Sequence, residues 1–225
     1  ALDYSAYTAG AITIDLGTST ATAIGGMFTS IESFTGSAFE DTLSAGTGND
    51  IITINAVDSG TINAVYSFAA IENVSGGADD DQFVFGENGR LSGTTGANGG
   101  SGKDMLDYSG ATTSRNIHLT GISVDGYTGY EPNKIQNFSG MDVLRATTSG
   151  SDRVYGIADG AATWTVDGAD STYQLDSASQ VLGILGFDLM YGSSADDTFI
   201  ISGAETARIY AGAGHDNFVM LDGAT

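Results

Sequence analysis

Ala45–Thr53 reads A-G-T-G-N-D-I-I-T, and the order of residue types in it decides the fold. Gly46 and Gly48 supply backbone angles that side chains resist, so the segment can turn tightly with its carbonyls directed inward. Asp50 sets a carboxylate at the end of that turn. Ile52, two residues on, falls on the inner face of a short strand, because strand side chains alternate. Turn, carboxylate and buried residue make half a coil of a stacked structure.

The same grammar recurs. Gly99–Asp107 (G-G-S-G-K-D-M-L-D) repeats every position, and Gly76–Val84 (G-G-A-D-D-D-Q-F-V) does so with Asp79 at the second inner glycine. Gly192–Ile200 and Ala211–Val219 keep the pattern with glycines replaced, and Asp41, Asp142 and Asp152 mark looser instances. Two residues beyond each mark stand Leu43, Ile52, Phe83, Leu106, Leu144, Val154, Phe199 and Phe218. All are large and apolar in a chain that is 41% apolar, so the phasing is not chance. Glu32, Asp41 and Asp50 follow one another at nine residues, as do Glu72 and Asp81, and Asp188 and Asp197. Nine residues is the nonapeptide period of a calcium-binding parallel β-roll.

Glycine-rich nonapeptides of this form resemble those of the RTX (hemolysin-type) calcium-binding repeat proteins. Ala45–Thr53 and Gly99–Asp107 carry the resemblance most closely, and such units cover about a quarter to a third of the chain. The opening A-L-D-Y-S-A-Y-T-A-G-A-I-T-I-D-L is similar to segments between such repeats in very large bacterial surface and secreted proteins. The resemblance implies calcium as the bound ion and an extracellular or bacterial cell-surface location. It also implies export of an unfolded chain by type I secretion, with folding outside.

Composition agrees. Acidic residues number 28 against 7 basic ones, a formal charge of −21, which excludes nucleic acid and anionic membrane as partners, since both need basic patches. Thirty-three glycines and one proline, Pro132, fit a turn-rich all-β chain. The absence of cysteine removes disulfides and thiolate metal sites. No run reaches the ~18 apolar residues of a membrane helix. The chain shows no signal peptide and opens within the repeat pattern, as expected of a piece of something longer.

A longer period overlies the short one. Leu2-Asp3-Tyr4-Ser5 returns as Leu106-Asp107-Tyr108-Ser109, Ile12–Leu16 as Arg115–Leu119, and Ile31–Gly36 as Ile135–Gly140. On this alignment Asp50, Asp81 and Asp104 correspond to Asp152, Asp197 and Asp216. The expectation is two tandem copies, 1–104 and a longer 105–220, with 221–225 opening a third, all in one continuous solenoid. The strand signals at Ala11–Leu16, Ile51–Ile54, Phe83–Phe85, Thr163–Val166 and Phe199–Ile201 fit this reading; Ala178–Leu185 reads as a helical turn. The fold expected is an all-β, right-handed parallel β-solenoid (β-roll or β-helix), a rod on the order of 40–55 Å long at about 4.8 Å per rung. Neither end reads as a cap, so further copies of the chain are expected partners, covalent or end to end.

Calcium takes six to eight oxygens, more than one turn offers, so two turns must stack to hold it. The candidate ligands are Asp41, Gly46, Gly48, Asp50, Gly76, Asp79, Asp81, Gly100, Gly102, Asp104, Gly192, Asp197, Gly212, Gly214 and Asp216, the glycines through their carbonyls. Asp197 and Asp216 are nineteen residues apart and make the best pair, Asp81 and Asp104 are twenty-three apart, and thirty-one separate Asp50 from Asp81. The alternative is Asp capping its own turn through backbone hydrogen bonds, the preferred reading for Asp142, Asp152 and Asp188.

For catalysis there is little material. His118 falls on a strand and His215 at a variable position of a nonapeptide, and no G-x-S-x-G elbow is present. Trp164, Tyr127 and Tyr130 could form a sugar platform, but isolated aromatics in a β protein more often pack. Two readings follow: a structural module of a surface fibre, filament, surface layer or adhesin, with cell-surface polysaccharide a candidate partner; or a calcium-binding secretion and folding module of an exported enzyme or toxin.

Overall fold

The computed structural model describes residues 1–202 and 207–222. Gly223–Thr225, most of the expected third-copy opening, lie outside the described residues. Among those residues the chain is all-β, with 24 strands in two sheets and one 3-10 turn at Gly168–Asp170.

The chain passes back and forth between the sheets. The first sheet receives β1 (Leu2–Asp3), and the second the hairpin β2 (Thr13–Asp15) and β3 (Thr20–Ala21). β4 (Ser33–Thr35) returns to the first and β5 (Thr42–Thr47) to the second. A meander, β6 (Ile51–Ala56), β7 (Ser59–Ile62) and β8 (Tyr66–Ala69), then occupies the first sheet. Single strands alternate from β9 (Asn73–Ala78) in the second through β10 (Gln82–Phe85), β11 (Ala97–Ser101) and β12 (Met105–Asp107). A second meander, β13 (Asn116–Ile122), β14 (Tyr127–Glu131) and β15 (Ile135–Met141), lies in the second sheet. After β16 (Val143–Arg145) and β17 (Arg153–Tyr155), a third meander returns to the first sheet as β18 (Ala162–Val166), β19 (Thr172–Leu175) and β20 (Leu182–Leu185). β21 (Leu189–Tyr191), β22 (Thr198–Ile201), β23 (Arg208–Tyr210) and β24 (Asn217–Met220) complete the alternation.

The first sheet has the order β1-β4-β8-β7-β6-β10-β12-β16-β20-β19-β18-β22-β24, and the second β23-β21-β17-β13-β14-β15-β11-β9-β5-β2-β3. Strands from successive crossings pair in parallel, and antiparallel pairs occur only inside the hairpin and the meanders. Each meander overshoots and steps back: β6 pairs forward with β10, while β8 pairs backward with β4. Asp50, heading β6, thereby comes beside Asp81, heading β10, although thirty-one residues separate them.

Alternation decides the core. Ile52, Phe83, Leu106, Leu144 and Ile184 form one in-register inward row across the first sheet. Leu43, Val74, Ala97 and Phe138 form its counterpart across the second. All of them are buried. Seven of the eight residues two beyond an Asp mark are fully covered; Phe218, on the edge strand β24, keeps one face open and stacks the other on Phe199 at 5.2 Å. Leu182–Leu185 is strand rather than helical turn: Leu182 and Ile184 point inward while β16 and β19 take the backbone on either side, and in a run this short the two periods are ambiguous. The Ile31–Gly36 and Ile135–Gly140 segments occupy opposite sheets, in β4 and β15.

Trp164 and Tyr127 belong to the core, with no measurable exposure, so neither serves a surface platform. The indole packs edge-on to Tyr173 at 4.6 Å and parallel to Phe199 at 5.8 Å. Trp164→Ala is expected to cost about 3–5 kcal/mol in urea unfolding followed by circular dichroism, as for other large cavities. A loss below ~1 kcal/mol would contradict this packing.

Candidate functional site

The glycine turns line up along one edge. Gly46, Gly77 and Gly100 are ladder partners with φ of +112°, +118° and +108°. Two residues on, Gly48, Asp79 and Gly102 also have positive φ, at +99°, +72° and +133°. Aspartate tolerates this region better than most residues, which explains how Asp79 replaces a glycine. Gly212 and Gly214 repeat the pair at +103° and +110°. Space matters as much as angle: a Cβ on Gly77 would lie 2.0 Å from the Gly46 carbonyl oxygen, and one on Gly100 2.0 Å from that of Gly77.

Gly76 and Gly192 meet a different steric limit. They sit one position earlier, beneath the carboxylate of their own turn, where a Cβ would meet Asp81 Oδ2 at 2.0 Å and Asp197 Oδ2 at 2.7 Å. Gly99 does the same beneath Asp104.

The aspartates form a file. Asp50 N–H donates to Asp81 Oδ1 (2.8 Å), Asp81 N–H to Asp104 Oδ1 (2.8 Å) and Asp104 N–H to Asp142 Oδ2 (3.0 Å). Asn63 Nδ2 donates to Asp50 Oδ1 at 2.6 Å and ends the file. The Oδ2 atoms of Asp50, Asp81 and Asp104 are buried and accept no hydrogen bond among the described residues. Withholding both water and donors from a carboxylate oxygen is costly unless a proton or a cation takes its place.

That cost appears as altered acidity. Burial pushes Asp81 up to about 7, and the charges of Asp104, Asp50 and Asp79 add to it, against the hydrogen bond from Asp50. Asp104 rises to about 6, by burial and then the charges of Asp142, Asp125 and Asp80, opposed by the hydrogen bond from Asp81. Both folded values exceed the 3.8 of an unconstrained aspartate, so the folded chain holds more protons between pH 4 and 7. This stabilisation is complete below about pH 4 and is lost as pH rises through 6 and 7. In calcium-depleted buffer the melting temperature should therefore be higher at pH 5 than at pH 8; equal or reversed values would contradict the file.

A second class of aspartate is fully served. Asp41 Oδ1 accepts from Ile12 N–H (2.7 Å) and Ser37 Oγ (3.0 Å), and its Oδ2 accepts from Ser37 N–H. Asp197 accepts from Ala162 N–H (2.9 Å) and Ser193 N–H (2.7 Å), and Asp152 from Arg115 N–H (2.6 Å) and Thr147 Oγ1 (2.7 Å). These carboxylates tie a turn to the strand of the preceding crossing. In role Asp152 thus matches Asp41 rather than Asp50. The signal lay in the sequence: Ser37 and Ser193 stand four residues before their Asp, where Gly46, Gly77 and Gly100 precede the half-free ones. Ser37→Ala should cost about 1–2 kcal/mol in thermal unfolding and leave any calcium response intact.

Asp197 and Asp216, expected as the best pair, do stack: Asp197 N–H donates to Asp216 Oδ1 at 3.0 Å. Asp142 and Asp188 take part in the same kind of link, accepting from Asp104 and Asp152. Asp79 Oδ2 accepts from Gly48 N–H at 3.1 Å. His118 lies within a ring stack on β13, and the exposed His215 donates its backbone N–H to Asp196.

The potential donors along this edge are oxygens: the three unpaired Oδ2 atoms, and carbonyls such as those of Gly46 and Gly77, which lie against the glycine of the next turn. Such a set suits a hard cation of the calcium type. Among the described residues no three acidic, His or Cys side chains converge on one point. No family model, no curated protein and no solved structure matches the chain. The resemblance to RTX repeats therefore rests on the nonapeptides themselves.

Proposed function

We propose that the chain is a calcium-stabilised structural module of an extracellular bacterial assembly, such as a surface fibre, filament, surface layer or adhesin. In this reading the two sheets are the sides of one right-handed parallel β-solenoid, the hand that parallel crossovers almost always take. Thirteen strands at about 4.8 Å give a rod on the order of 55–60 Å. The observation that carries the reading is the file of buried, unpaired Oδ2 atoms on Asp50, Asp81 and Asp104. Calcium held there neutralises stacked like charges, so that binding free energy becomes folding free energy. The chain is then not an enzyme, and copies 1–104 and 105–220 are lengths of one continuous rod.

Circular dichroism with light scattering, titrated from chelator into millimolar calcium, tests this. A cooperative rise in β-signal followed by growth into rods is expected. A monomeric calcium-folded chain would move the assignment to the secretion and folding module of an exported enzyme or toxin. An unchanged spectrum would remove calcium from the account.

A further inference from the structure

The outward face of the second sheet carries a continuous stack of rings across β14, β13, β17, β21 and β23. Tyr130, His118, Tyr155, Tyr191 and Tyr210 follow one another with centroids 4.8, 4.2, 4.4 and 4.5 Å apart and planes within 18°. Their chain neighbours Ile117, Val154 and Met190 are buried, so alternation commits the rings to the solvent side. The inner rings cover each other's faces. What they offer outward is edge and phenol oxygen, one per strand.

A second row runs beside the rings, two residues earlier in register: Asn116, Arg153, Leu189 and Arg208. Arg153 and Arg208 are two of only seven basic residues in a chain of charge −21. Neither forms an ion pair among the described residues, and Arg153 donates to Asn116 Oδ1 at 3.0 Å. Both line a groove of about 280 Å³ in which the one carboxylate among the described residues, Asp188, already accepts from Asp152 N–H. A second groove, about 360 Å³, lies on the other flank against His118 and Tyr130.

Strand spacing makes this a lattice, with rings about 4.8 Å apart and the two guanidinium-bearing strands about 9.6 Å apart. A regular strip of this kind fits a regular linear polymer better than the irregular surface of a folded protein. We propose that this face binds an extended acidic polysaccharide of the polyuronate class. Arg153 and Arg208 pair with its carboxylates through forked hydrogen bonds, and the tyrosine hydroxyls bond to its sugar hydroxyls. The strip shares no residue with the Asp50, Asp81 and Asp104 file, so it is tested separately from the calcium reading.

The test is titration calorimetry of the full chain, in calcium, with soluble oligogalacturonate, and with neutral dextran oligomers and poly-glutamate as comparisons. Oligogalacturonate should bind and dextran should not. Arg153→Gln and Arg208→Gln should each weaken binding about tenfold. A Tyr155→Phe, Tyr191→Phe double variant keeps the stack and should weaken oligogalacturonate but not poly-glutamate. Unchanged far-ultraviolet spectra establish that the variants fold. Absence of binding, or binding indifferent to both arginines (calcium bridging to the acidic edge), overturns the proposal. So does poly-glutamate binding as tightly as the uronate with no effect of the tyrosine hydroxyls.

Discussion

Asp81→Asn is expected to move the melting temperature in opposite directions with and without calcium. In calcium-depleted buffer at pH 8, the substitution removes a buried charge held between Asp50 and Asp104, while the amide oxygen still accepts the Asp50 N–H. A gain on the order of 1–3 kcal/mol follows, because a neutral amide costs less to bury beside two other carboxylates than a charge does. In calcium the same change deletes a ligand and a countercharge at the middle of the file, and a loss of about 3–5 kcal/mol follows, as when one partner of a buried ion pair is removed. Differential scanning calorimetry in the two buffers reads both arms. A variant less stable than the parent in both would mean that Asp81 is only a turn cap.

Gly100→Val is expected to abolish folding altogether. Its φ of +108° is strained for any side chain, and a Cβ would stand 2.0 Å from the Gly77 carbonyl oxygen, a backbone atom that cannot swing aside. Strain of about 1–3 kcal/mol and overpacking of similar size together approach the whole stability of a domain. Gly48→Ala separates the two effects: its φ is +99°, but no atom lies within 4 Å of the added Cβ, so only about 1–2 kcal/mol should be lost. The β-signal in calcium reads both variants. A folded Gly100→Val chain would show that the turns do not stack as closely as described.

Much of this was legible in the residues. The period-two alternation around Ile52, Phe83 and Leu106 placed the strands and the core, and the Gly-x-Gly-x-Asp grammar placed the turns on one edge. The meanders were not legible, because β7 and β8 are short runs whose partners depend on which crossing they return to. That is why a separation of thirty-one residues gave no sign of whether Asp50 meets Asp81. The division of the aspartates was also missed: a serine such as Ser37 in the place of a glycine looks like a degraded repeat, yet its hydroxyl and N–H serve the carboxylate. The ring stack could not be read from Tyr130, His118, Tyr155, Tyr191 and Tyr210, which are scattered in the chain and aligned only by strand pairing.

Three oxygen atoms, Oδ2 of Asp50, Asp81 and Asp104, decide whether calcium is bound, and a crystal structure of the chain grown in calcium examines them directly. It should show anomalous density between stacked turns, about 2.3–2.6 Å from Oδ2 of Asp50, Asp81 and Asp104, with backbone carbonyls completing each shell. No such density beside Asp41 or Asp197 is expected, since their oxygens already accept N–H and O–H donors. Cations found only beside Asp41 and Asp197, or none at ordered positions along the file, would contradict the central claim.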